Sequence, residues 1–207
     1  MTVAQRERAA LVEALREAGP DAPTLCEGWT TRDLAAHLVV RERRLDAAGG
    51  ILVPFLAGYT ERVQRQVATS TGWDELVGKI ASGPPLYSPF KPLDAVANAA
   101  EMFIHLEDVR RARPGWEPRA LDEQTLAALR RPVAMMARMT MRRAPATVVL
   151  ATPTGDTLAT VGRGPRVLVT GDPGELLMFA SGRSEARVSI DGDPAVVEAV
   201  QKSRGGL

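Results

Sequence analysis

A change of hydrophobic period near residue 144 is what most constrains the fold. Before it, apolar side chains recur at helical spacing; after it they gather in short β-branched runs such as "ATVVLAT" and "RVLVT". Two periods in that order predict an α+β protein. A helical bundle is expected over residues 1–143, followed by a small α/β domain over 144–207.

Punctuation within each half is explicit. A first helix should end at "GPDAP", and a second should start after "LCEGW", with Thr30 as N-cap and Asp33 three residues on. That second helix is expected to continue to about Ala48 and stop at Gly49-Gly50. "FLAGYTERVQRQVAT" and "WDELVGKIA" read as helices, the proline-rich "SGPPLYSPFKP" as a loop. A long helix is expected from about Leu93 to Arg113, and another from about Asp122 to Arg142, kinked at Pro132. In the second half, Asp172-Pro173 and Asp193-Pro194 are strong helix starts. "ARVSI" is strand-like, and the glycines of "PTGDTLATVGRGP" fit hairpin turns better than a phosphate loop.

Composition excludes several function classes. Of 207 residues, 45% are hydrophobic, enough for a core, and the formal net charge is only +1. A balance so near neutral gives no electrostatic reason to expect nucleic acid or an anionic membrane as partner. No apolar stretch approaches the roughly 20 residues needed to span a bilayer. The first residues alternate charged and apolar side chains and lack a signal-peptide core, so a soluble cytoplasmic protein is expected. One cysteine, Cys26, excludes an internal disulfide. The excess of arginine over lysine fits a GC-rich bacterial genome.

The stretch "NAAEMFIHLEDVRRA" is polar where a packed helix should be apolar. Asp94, Asn98, Glu101, His105 and Asp108 fall along one stripe of that helix, with Glu107, Arg110 and Arg111 nearly opposite. If the Glu107/Arg110/Arg111 side faces solvent, the stripe faces inward, where ionisable groups must be paired or coordinated. Glu101 and His105 stand one turn apart on one face, and His37 is the only other imidazole in the chain. Together they could hold a divalent cation with positions left open, as in catalytic zinc and non-haem iron sites. Zinc is favoured, though two histidines and a carboxylate also suit iron or nickel. The competing account is two ordinary half-buried histidines and a Glu101 salt bridge. Asp108, one turn beyond His105, would accept an imidazole N–H behind such a site. Arg41 and Arg44 follow His37 at i+4 and i+7, where they could bind an anionic substrate or simply pair with neighbouring Glu42 and Asp46. Cys26 and Trp29 read as a small loop residue and a core anchor.

"LCEGWTTRDLAAHLVVRERR" resembles the first signature block of the mycothiol-dependent maleylpyruvate isomerase family, and "EMFIHLEDVRRA" resembles its second. Glu27 stands where the family usually has proline. The tail, with "GELLMFASGR" and "VSIDGDPAVVEAV", is similar to the small sterol-carrier-type domain that many members carry. The resemblance implies a DinB-like four-helix bundle with a divalent metal on His37, Glu101 and His105. It further implies mycothiol as co-substrate, and Arg183 as a substrate contact from the second domain. No catalytic residue is assigned. An enzyme that turns a low-molecular-weight thiol on a small electrophile, as isomerase or transferase, is one expectation. A non-catalytic metal- or ligand-binding module is the other. Oligomeric state is left open.

Overall fold

The computed structural model describes residues 1–48, 57–88 and 97–204, which form two compact units, Met1–Trp116 and Glu117–Leu207. The first is helical: α1 (Val3–Ala18), α2 (Thr31–Arg43), α3 (Leu45–Ala48), α4 (Ala57–Ser70), α5 (Trp73–Ala81) and α6 (Ala97–Arg111). Four of these share one core. Leu11 and Leu15 of α1, Leu34 and Leu38 of α2, Leu76 and Ile80 of α5, and Met102 and Leu106 of α6 pack together there. Burying a leucine-sized side chain contributes about 1.5–3 kcal/mol, so this cluster is the main reason α2 and α6 belong to one bundle.

Local chemistry sets where α2 begins. The Thr30 side chain accepts from Asp33 N–H, and Asp33 accepts from Thr30 N–H at 2.9 Å, a reciprocal cap. The far end departs from the expected single helix to Ala48. Arg44, at φ −116° and ψ 83°, leaves the helical region and splits α2 from the short α3. The expected Gly49-Gly50 stop and the part of the long helix before Ala97, Asp94 included, lie outside the described residues.

One expectation about α6 is overturned. The Glu107/Arg110/Arg111 side is not its solvent face: Glu107 is 0% exposed and Arg111 3%. Buried Met102, Phe103, Ile104, Leu106 and Val109 surround the helix, leaving α6 as a central element. The charges are tolerated because Glu107 pairs with both Arg110 (2.9 Å) and Arg111 (2.6 Å), while Arg111 also lies 4.6 Å from the Trp116 ring centre. The polar stripe nonetheless faces inward, for a different reason than expected: both sides of the helix are covered.

The second unit contains α7 (Glu123–Thr140), β1 (Thr147–Ala151), β2 (Thr157–Val161), β3 (Arg166–Thr170), α8 (Pro173–Ala180), β4 (Ser189–Asp191) and α9 (Pro194–Ser203). Strands run in the order β2-β1-β3-β4, with β1 parallel to β3 and the outer pairs antiparallel. Strand β2 lies within the glycine-rich stretch whose glycines read as hairpin turns, a strand that the sequence pattern does not single out. It is a sheet edge that buries only Ala159 and Val161, too little apolar pattern to stand out. Helix α7 runs through Pro132 and packs on α8 and β2. Compactness therefore divides the chain at Trp116/Glu117, whereas the change of period at 143/144 marks where strands begin.

Candidate metal centre

The polar stripe of α6 meets α2 at His37. His37 Nε2 lies 3.4 Å from Glu101 Oε1, and His105 Nε2 lies 3.3 Å from the same oxygen. The two imidazole rings stand edge to face, their centres 5.4 Å apart. One ligand atom from each of the three residues falls within 4.8 Å of the others. Glu101 and His105 share a face because four residues make about one helical turn; His37 joins them through the packing of the shared core.

A tight loop closes this end of α2. Trp29 N–H donates to Cys26 O at 2.9 Å, with Gly28 at φ +75° in the turn, a left-handed conformation that glycine adopts without strain. Leu25 N–H donates to Asp108 O at 3.0 Å and ties the loop to α6. Trp29 consequently does two things: it packs on the core and sets its ring 5.2 Å from that of His37.

Behind the centre lies a buried carboxylate. Asp108, 0% exposed, places Oδ2 at 2.9 Å from His105 Nδ1 and accepts from Cys26 Sγ at 3.3 Å. Cys26 is therefore part of the network around His105, a link that loop sequence does not signal. On the other side, Arg41 Nε lies 3.2 Å from Glu101 Oε1, and Arg41 Nη1 donates to buried Asn98 at 2.8 Å. The spacing of Arg41 from His37, and of Asn98 from Glu101, brings both to this place.

These contacts shift both titrating groups. Burial pushes the Glu101 carboxyl up, but the Arg41 charge and the hydrogen bonds from His105 and His37 outweigh it and hold the group well below the usual range. Burial pushes His105 down, yet hydrogen bonds with Asp108, Cys26 and Glu101 win and raise it well above the ordinary value. Both shifts favour the charged forms, Glu101 as carboxylate and His105 as imidazolium.

The donor set suits a divalent cation. Two imidazole nitrogens and one carboxylate oxygen converge, and Asp108 is positioned to accept a hydrogen bond from Nδ1–H of neutral His105, which leaves the Nε2 lone pair for a cation. Cys26, His105 and Asp108 also come within 4.8 Å of one another. The hydrogen bonds among those three already account for that grouping. The salt-bridge account of Glu101 describes a real contact too, with Arg41 as its cation.

The other two predicted arginines have partners of their own. Arg44 spends its guanidinium on Asp46, at 2.8 and 2.9 Å, and Asp46 also accepts from Tyr59. Arg183, buried in the second unit, donates to Ser181 O at 2.8 Å. Among the described residues no helix is long and apolar enough to cross a membrane.

The family model described as the mycothiol maleylpyruvate isomerase N-terminal domain matches residues 2–169. The fold is similar to the crystal structure of the mycothiol-dependent maleylpyruvate isomerase and to that of a histidine-to-alanine mutant of it. In each case the TM-score is 0.55 at 16% identity, covering 92% of this chain and 91% of the other. No curated protein matches the sequence.

Proposed function

The chain belongs to the mycothiol maleylpyruvate isomerase N-terminal domain family, and from that membership we propose that it is a metal- and thiol-dependent enzyme. Its co-substrate is mycothiol or a comparable low-molecular-weight thiol, and its reaction is isomerisation of, or thiol transfer to, a small electrophile. His37, Glu101 and His105 hold the metal, zinc by preference, with iron or nickel as alternatives. The observation that carries this reading is the convergence of those three side chains from two helices within 4.8 Å, in a chain of this family.

When bound, the cation supplies a Lewis-acid centre that favours the anionic form of a thiol. The protein's own residues do the rest. Asp108 holds the His105 ring by Nδ1 so that Nε2 points at Glu101. Trp29, its ring 5.2 Å from that of His37, packs against that imidazole and positions it. Arg41, Arg44 and Arg183 are the arginines proposed to meet a carboxylate of the substrate.

Cobalt substitution tests the proposal. Adding thiol to the cobalt protein, with Cys26→Ser to remove the internal sulfur, should produce a sulfur-to-metal charge-transfer band and release a proton. An unchanged spectrum at saturating thiol would leave only a metal-binding module.

A further inference from the structure

Glu101 Oε1 is a contested atom. Arg41 Nε lies 3.2 Å from it, as near as either imidazole at 3.3 and 3.4 Å. The guanidinium is built into this position. Arg41 is 5% exposed, and its Nη1 is held at 2.8 Å by Asn98, itself 0% exposed. A side chain fixed at two points on the stripe is unlike a surface arginine that swings away when a cation arrives.

Resting on the metal reading above, we propose that Arg41 is a resident counter-ion that competes with the metal for Glu101 and sets the metal affinity. A guanidinium keeps its charge at every working pH, so this competition, unlike that of a proton on His105, cannot be titrated away. Its positive charge, 3.2 Å away, draws electron density toward itself on the very oxygen that faces both imidazoles. Its charge cancels the one that Glu101 brings to the cation, so the loaded centre stays strongly positive and prefers an anionic fourth ligand. A unit charge and a dication a few ångströms apart repel strongly even with heavy screening. The centre is thereby tuned for anion capture at the expense of metal retention.

The sign of one measurement separates this from a scaffolding role. Zinc affinity is measured by chelator competition for wild type, Arg41→Met, Arg41→Lys and Asn98→Asp. Arg41→Met should bind zinc at least about tenfold more tightly, while its metal-free form melts below metal-free wild type. Arg41→Lys keeps the charge and should stay near wild-type affinity. Asn98→Asp is isosteric and gives the guanidinium a carboxylate of its own, so zinc affinity should rise with Arg41 in place; this arm serves if Arg41→Met does not fold. Unchanged or weaker binding in Asn98→Asp and in any folded Arg41→Met overturns the proposal and makes Arg41 a support for Glu101. Absence of zinc binding by wild type overturns the metal reading and this inference with it.

Discussion

Asp108 Oδ2 lies 2.9 Å from His105 Nδ1, while the other nitrogen of that ring lies 3.3 Å from Glu101. One imidazole thus bridges two carboxylates with different duties. Glu101→Gln is expected to weaken metal binding far more than Asp108→Asn, whose loss should be about 10–100-fold, the usual cost of an outer hydrogen-bond partner. Equal losses by chelator competition would mean that Glu101 is not a ligand.

His37→Ala and His105→Ala should each abolish the roughly one divalent metal per chain expected of the purified protein. Elemental analysis after dialysis gives the count. Full occupancy in the double variant would place the metal somewhere else.

The metal-free protein should show a stability window in pH. His105 is raised in the fold, so its contribution is complete below its ordinary value of about 6.5 and fades as pH climbs through the raised value. Glu101 is lowered, so its contribution is complete above about 4.5 and fades as pH falls through the lowered value. Urea unfolding of metal-free wild type against His105→Ala should therefore show the largest advantage between those two values. Because coordination needs a neutral imidazole, metal uptake at pH 7 should release a proton, and affinity should rise with pH. Uptake that is independent of buffer ionisation would contradict this protonation scheme.

Cys26 should matter as a hydrogen-bond donor. Cys26→Ser keeps a donor toward Asp108, whereas Cys26→Ala leaves a buried carboxylate one partner short and should cost about 1–3 kcal/mol in denaturant titrations. If serine and alanine are equally destabilising, the thiol acts through packing alone.

Glu107 offers a test remote from the metal. Glu107→Ala removes the carboxylate that pairs with buried Arg111 and should cost about 3–5 kcal/mol. Arg110→Ala, at a side chain 32% exposed, should cost less than about 1 kcal/mol. Similar losses from both would show that the Arg111 pair is not the dominant contact.

Some of this protein is written in short-range pattern. The switch from helical spacing to β-branched runs divides α from β because each period follows from local backbone geometry. Thr30 and Asp33 start α2 through their own hydrogen bonds, and Glu101 and His105 share a face because a helical turn is about 3.6 residues. Tertiary packing decided what those faces meet. His37 reaches Glu101 from 64 residues away in sequence because Leu34 and Leu38 share one core with Met102 and Leu106. Cys26 reaches Asp108 because one backbone bond from Leu25 pins the loop. Glu107 and Arg111 have the spacing of a solvent face, yet they are buried because neighbouring elements cover them. Which face of a helix is covered depends on partners distant in the chain, and no spacing within the helix encodes that.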